Sequence, residues 1–297
     1  SKTLMVLGGS GFIGQNIAKY FLEGEYNKFK ISKLILVSRS GQLNKKYKKH
    51  KNYKNITIKK IDLLKKISFL PKSDYVIFGA SPTLKGIGNF KKEFENTKKI
   101  MKNFLVFLKK NKFNCKLLYI SSGSVYGINK NKKKISENHK ISLSKLRKLD
   151  LEKRNYALGK IDCERQLKNF SKTSKIKIII TRCFSFVDDN IPLYKNYFMG
   201  NMVNNIRKSK PLNLKSKNPK GIFRSYMHCR DLTKWFLVIL QNTNKKYQIF
   251  NVGSDRADTL YGISKKLSSF YGLNLMHKIS KTKLGIDDYY IPLTNKV

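Results

Sequence analysis

Leu4-Met5-Val6-Leu7-Gly8-Gly9-Ser10-Gly11-Phe12-Ile13-Gly14 decides the fold of this chain. Four apolar residues lead into the glycines, and Ile13, Ile17, Ala18, Phe21 and Leu22 follow at helical spacing. The glycines therefore sit where a strand turns into an amphipathic helix. A dinucleotide pyrophosphate is cradled at such a turn, against the helix N-terminus. Gly8 is expected to make the tight turn and Gly11 to let backbone amides reach the phosphates. Gly14 is expected to let the helix pack close to the strand. Ser10, Phe12 and Ile13 belong to the same cradle.

The next segment, Lys33-Leu34-Ile35-Leu36-Val37-Ser38, reads as a buried strand ending at Ser38-Arg39-Ser40. In a dinucleotide fold this strand end meets the adenosine ribose, and an acid there binds the free 2′-hydroxyl of NAD. An arginine between two serines suits a 2′-phosphate instead, so Arg39 favours NADP over NAD. Residues 41–55 are polar and lysine-rich. Residues 56–61 alternate like a strand and reach Asp62-Leu63, where the aspartate can accept from an adenine amine. Residues 74–81 read as the next strand, ending in Gly79, Ala80 and Ser81, small enough for a cofactor to lie against the backbone. A loop over Pro82–Asn89, a helix over 90–111 and a strand over 116–120 follow. Residues 128–155 are polar and look like an insert, expected to fold over the site as a lid. A helix over about 154–171 and a strand over 176–181 complete the alternation. That alternation demands an α/β fold with a mostly parallel, doubly wound sheet.

Composition narrows the class. Hydrophobic residues make up 40% of the 297, enough for a sizeable core. No run of 18 apolar residues is present, so no membrane span is expected. The chain enters a strand at once, which leaves no room for a signal peptide, and a cytoplasmic location is expected. Cys115, Cys163, Cys183 and Cys229 are far apart, without metal-ligand spacing, and are expected as reduced thiols. The formal charge of +45 raises the question of nucleic acid. Its lysines are spread over nearly every segment and accompany no nucleic-acid-binding motif. Nonspecific binding at low salt is expected, and a basic surface that attracts anionic substrates.

Tyr156-Ala157-Leu158-Gly159-Lys160 puts a tyrosine and a lysine four apart on one helix face. An ammonium beside a phenol is expected to lower the tyrosine pKa toward working pH. Tyr156 then serves as general acid/base for an alcohol or ketone, Lys160 tunes it and holds the nicotinamide ribose, and Ser122 hydrogen-bonds the same substrate oxygen.

At this point the chain resembles the extended short-chain dehydrogenases/reductases, the NAD(P)-dependent nucleotide-sugar epimerase/dehydratase family. The matching residues are Gly8, Gly11 and Gly14, Asp62-Leu63, Asn96 beside the cofactor, Ser122, Tyr156 with Lys160, and Arg182-Cys183-Phe184. Two late motifs also match, residues 224–232 and Phe250-Asn251-Val252-Gly253-Ser254. The resemblance implies a Rossmann-like domain over 1–181, with 222–253 returning to it, and a smaller α/β substrate domain drawn mainly from 182–297. It implies a nucleoside-diphosphate sugar near Ser122, Ser124, Tyr156, Ser185, Asn201 and Arg224, with Arg224 gripping the diphosphate. His228 reads as a packed or supporting histidine. A homodimer through helices 90–111 and 154–171 is implied as well. Dehydratases of the family carry an acidic pair after the catalytic hydroxyl. Here those positions are Gly123 and Ser124, which argues for an epimerase or an NADPH-dependent 4-ketoreductase over a 4,6-dehydratase. Ser185 stands where many members have asparagine. Family members also continue past residues 290–293 into a terminal helix. A noncatalytic dinucleotide-binding regulator is the alternative from another class, and the Ser122, Tyr156 and Lys160 set speaks against it.

Overall fold

The computed structural model describes residues 1–82, 90–193, 197–214, 216–277 and 287–295. The expected loop beyond Pro82 lies outside them.

The first strand, β1 (Lys2–Leu7), shows how the core is built. Leu4 and Val6 point to one face of the sheet, Met5 and Leu7 to the other, and all four are buried. A strand buried on both faces needs helices on both sides. After β1 come α1 (Phe12–Leu22), β2 (Ile31–Ser38), β3 (Ile56–Lys60), β4 (Tyr75–Phe78), α2 (Phe90–Lys110) and β5 (Lys116–Ser122). Then follow α3 (Leu143–Arg147), α4 (Leu151–Thr173), β6 (Lys177–Cys183), β7 (Ser185–Val187), α5 (Phe198–Arg207), β8 (Leu212–Leu214) and β9 (Ile222–His228). The chain continues through α6 (Cys229–Asn242), β10 (Tyr247–Val252), β11 (Ala257–Thr259), α7 (Leu260–Tyr271), β12 (Leu275–His277) and β13 (Asp288–Tyr290).

Seven strands form a parallel sheet in the order β10-β6-β5-β4-β1-β2-β3. Ile17, Phe21, Phe236 and Leu240 of α1 and α6 cover one face. Met101, Phe104, Leu108 and Leu167 of α2 and α4 cover the other. This is the Rossmann-like doubly wound sheet expected from the alternation. Strand order reverses between β1 and β4, and the carboxyl ends there open the crevice in which such sheets bind ligands.

A second, smaller sheet is built around β9, which pairs with β7, β11 and β13. β8 and β12 pair separately. Residues 222–228, expected to return to the large sheet, stand in this small one instead, and only α6 and β10 rejoin the large sheet. β9 has paired strands on both sides, and most of its residues are half-buried.

The lysine-rich insert is anchored along its length. Asn129 is buried and donates through Nδ2 to the carbonyls of Lys133 and Tyr289, at 3.0 Å each. Ile135 exchanges backbone hydrogen bonds of 2.8 Å with Ile291 and Leu293. Glu137 accepts from the Asn251 amide at 3.0 Å. All of its lysines but half-buried Lys145 face solvent, and Lys134 pairs with Asp255 at 3.1 Å. The segment is thus strapped to β10 and to the chain around β13, a different arrangement from the expected lid. Residues 41–55 form two 3₁₀ turns around buried Tyr47.

Candidate active site

The glycine turn is shaped as a cradle. Gly8 has φ +97°, and a Cβ there would lie 2.8 Å from the Ala80 amide nitrogen and 2.9 Å from Gly79 carbonyl atoms. Only glycine lets the first turn and the end of β4 touch this closely. A Cβ at Gly14 would meet the carbonyl oxygens of Gly8 and Gly9 at 2.6 Å. Gly11 caps α1 without a side-chain hydrogen bond, so the helix N-terminus is open to an anion. Ser10 and Gly11 are exposed there, with Phe12 and Ile13 half-buried. The cradle fits a dinucleotide pyrophosphate.

The other residues expected at the cofactor follow the carboxyl ends of β2, β3 and β4 or lie on α2. Gly79 donates to Leu7 O at 2.8 Å, which seats Ala80 and half-buried Ser81 beside the glycines. Arg39 is exposed at the end of β2. Asp62 accepts from the Leu64 amide at 3.0 Å. Leu63 is buried, and its carbonyl is held by Asn103 Nδ2 at 3.0 Å. Asn96 is half-buried in α2, next to Thr97, whose Cγ2 lies 3.3 Å from the Cβ position of Gly159 on α4.

Ser122, Tyr156 and Lys160 meet at the carboxyl end of β5. Lys160 is buried and donates to Ile120 O at 2.8 Å. Its Nζ lies 5.5 Å from the centroid of the Tyr156 ring. Tyr156 keeps 38% of its surface open to the cleft. Burial of the phenol pushes its pKa up to about 12, and the neighbouring Ser122 hydroxyl opposes this. Burial lowers Lys160. The expected lowering of Tyr156 is therefore not seen, because desolvation of the phenol dominates.

Ser124 donates its amide to Ser122 Oγ at 3.2 Å. The Ser124 hydroxyl is buried and finds no partner among the described residues. Ser185 is half-buried on β7, opposite Tyr226, and Asn201 is half-buried in α5. Arg224 of β9 is held by Asp288 of β13, Nη2 to Oδ2 at 2.8 Å. His228 lies apart. Its Nδ1 accepts from the Arg230 amide at the start of α6, and its Nε2 lies 3.5 Å from Asp188.

Two groups escaped the sequence reading. Tyr290 of β13 reaches into the site, where its ring packs on Phe184 with centroids 4.6 Å apart. A Cβ at Gly123 would lie 2.7 Å from the Tyr290 hydroxyl. Beneath the site, Arg182 pairs with Glu164, Nη2 to Oε2 at 2.7 Å, with both side chains buried. Glu164 also accepts from Ser121, and Arg182 donates to Tyr126 at 3.0 Å. Arg182 stood in a matched motif, but Tyr290 and Glu164 had no readable signal. Tyr290 is one of four consecutive polar or aromatic residues, Asp287 to Tyr290, and Glu164 is a charge on a highly charged helix.

Residues 4–253 match the NAD-dependent epimerase/dehydratase family. The chain belongs to that family. Among curated relatives of this family member, a dTDP-D-glucose 4,6-dehydratase of Dictyostelium discoideum is 27% identical over 281 residues. That alignment covers 89% of this chain but 61% of the relative, so the chain spans less than two thirds of its length. An ADP-L-glycero-D-manno-heptose-6-epimerase of Brachyspira hyodysenteriae is 26% identical, with 90% of this chain and 81% of the relative covered. Among solved structures, a UDP-glucose 4-epimerase of Thermotoga maritima superposes with a TM-score of 0.79 at 16% identity, covering 99% of this chain and 90% of that one. Among the described residues no helix is long and apolar enough to cross a membrane.

Proposed function

We propose that this family member is an NAD(P)-dependent oxidoreductase acting on a nucleoside-diphosphate sugar, with hydride exchanged at a sugar carbon, C4. The convergence of Ser122, Tyr156 and Lys160 beside the glycine cradle carries this reading. When bound, the nicotinamide ring supplies the redox chemistry. Tyr156 moves the proton at the reacting oxygen, Ser122 hydrogen-bonds that oxygen, and Lys160 adds positive charge beneath the phenol. The orphan Ser124 hydroxyl supports a sugar contact there, and half-buried Ser185 and Asn201 are read as further contacts. Arg224 is read as the diphosphate grip, with Asp288 holding its guanidinium ready.

The crowding at Gly123 favours epimerisation or ketoreduction over 4,6-dehydration. An acid at that position would collide with Tyr290. Exposed Arg39 favours the ketoreductase form, fed by NADPH. Residues 1–181 are read as the cofactor domain and the small sheet as the substrate domain. The face of α2 that exposes Val106 is read as a dimer surface.

Mass spectrometry of nucleotides released from the denatured protein separates these forms. Retained NAD(H) marks an epimerase and overturns the reading of Arg39. An empty site that prefers NADPH to NADH marks a reductase, and Arg39→Ala then weakens NADPH about tenfold. Failure to bind either cofactor contradicts the proposal.

A further inference from the structure

The amino ends of β1, β4, β5 and β6 border an open cavity of about 270 Å³. It lies on the edge of the large sheet away from the cleft, about 20 Å off along the seven residues of β5. Lys2, Tyr75, Lys116, Lys175 and Lys177 line it, with Asp74 as the one acid. Tyr75, Lys116 and Lys177 are in register across β4, β5 and β6, so their side chains leave the same face of the sheet. The Asp74 carboxylate accepts from the Thr3 amide at 2.8 Å. Among the described residues no acid lies within ion-pair distance of any of the four lysines. Burial lowers the Lys116 pKa, and the charges of Lys177 and Lys2 lower it further.

The donors here are held in place and not used up. Lys116 Nζ is fixed by the carbonyls of Leu240 and Gln241 at the end of α6, at 2.9 Å each, and keeps its third hydrogen. Lys177 Nζ gives one hydrogen to Asn244 Oδ1 at 3.3 Å. Lys2 Nζ donates to the Tyr75 hydroxyl at 2.6 Å. Tyr75 is only 2% exposed, and its own hydroxyl hydrogen finds no acceptor among the described residues. We propose that this cavity is an anion site that takes a phosphate group between the Lys2, Lys116 and Lys177 ammonium groups and the Tyr75 hydroxyl. A phosphate offers several acceptor oxygens and the negative charge that these donors match. In a chain of formal charge +45, an anion bound here also relieves self-repulsion. The proposal is independent of the cofactor and sugar reading.

The test follows the amide resonances of Tyr75, Cys115, Lys116 and Lys177 while inorganic phosphate, ribose 5-phosphate or chloride is added at one fixed ionic strength. At least one of the two phosphates is expected to shift them along a saturating curve, and chloride is not. A lower midpoint for ribose 5-phosphate assigns the site to a phosphate ester, and a lower midpoint for inorganic phosphate assigns it to the free ion. Tyr75→Phe deletes only the hydroxyl, and Lys177→Gln removes a half-exposed charge. Each is expected to weaken phosphate about tenfold, the weight of one hydrogen bond to a charged group. An equal response to chloride overturns the proposal, and so does unchanged affinity in either variant. A phosphate response confined to residues 8–14 puts the ion at the glycine cradle and overturns it as well.

Discussion

An alanine methyl at position 14 would sit 2.6 Å from the carbonyl oxygens of Gly8 and Gly9. Both oxygens are backbone, so α1 must shift to make room. Gly14→Ala is expected to cost about 1–3 kcal/mol of stability by overpacking, read as a lowered denaturant midpoint, and to weaken cofactor binding in calorimetry. Gly123→Asp meets a different neighbour, the Tyr290 hydroxyl. It is expected to lower turnover without creating dehydratase activity, checked by looking for a 4-keto-6-deoxy product. The glycine cradle was fully legible in the sequence, because strand, glycines and helix are contiguous. Tyr290 was not. It is brought to Gly123 by pairing of β13 with β9, a contact between segments more than 60 residues apart in the chain that no local pattern announces.

At the scale of elements, α4 carries the chemistry and its setting is specific. Asp150 caps it, accepting from the Lys153 amide at 2.8 Å, so the helix begins at Leu151, three residues before the sequence pattern placed it. A polar insert running into a capped helix hides its own boundary. One turn beyond Lys160, Glu164 meets Arg182 in a buried pair. Glu164→Ala would leave the Arg182 guanidinium buried without its partner. The expected loss is about 3–5 kcal/mol, measured by chemical denaturation. The paired change Glu164→Leu with Arg182→Met is expected to recover much of it, because apolar side chains fill a buried ion-pair site at little cost. Strands β1 to β6 of the large sheet, with α1, α2 and α4, were read within a few residues from apolar runs, while α6 and β10 rested on the family resemblance. The small sheet was not, since its strands β7, β11 and β13 are three residues long each, too short for an alternation to be read.

For the whole molecule, the charge and the buried titrating groups set the behaviour. Burial pushes Cys115 and Cys183 from an ordinary 9.0 up to about 12, and Tyr226 and Tyr247 from 10.0 up to about 12. Each holds its proton more tightly folded than unfolded. Their contribution to stability is therefore complete below pH 9 and is lost as pH rises from about 9 to about 12. Denaturant midpoints are expected to hold steady up to pH 9 from this cause and to fall beyond it. The central claim concerns the chemistry where the large sheet meets the small one. Its most direct test mixes the protein and NAD(P)⁺ with UDP-glucose, dTDP-glucose and related nucleoside-diphosphate hexoses, and the protein and NADPH with the corresponding 4-keto sugars, while absorbance of reduced nicotinamide is followed. At least one sugar is expected to change that absorbance, transiently for an epimerase and progressively for a reductase. Tyr156→Phe is expected to slow the change by roughly 10²–10⁴. A cofactor that binds yet changes with no sugar, or a Tyr156→Phe protein as fast as the unsubstituted one, would contradict the account.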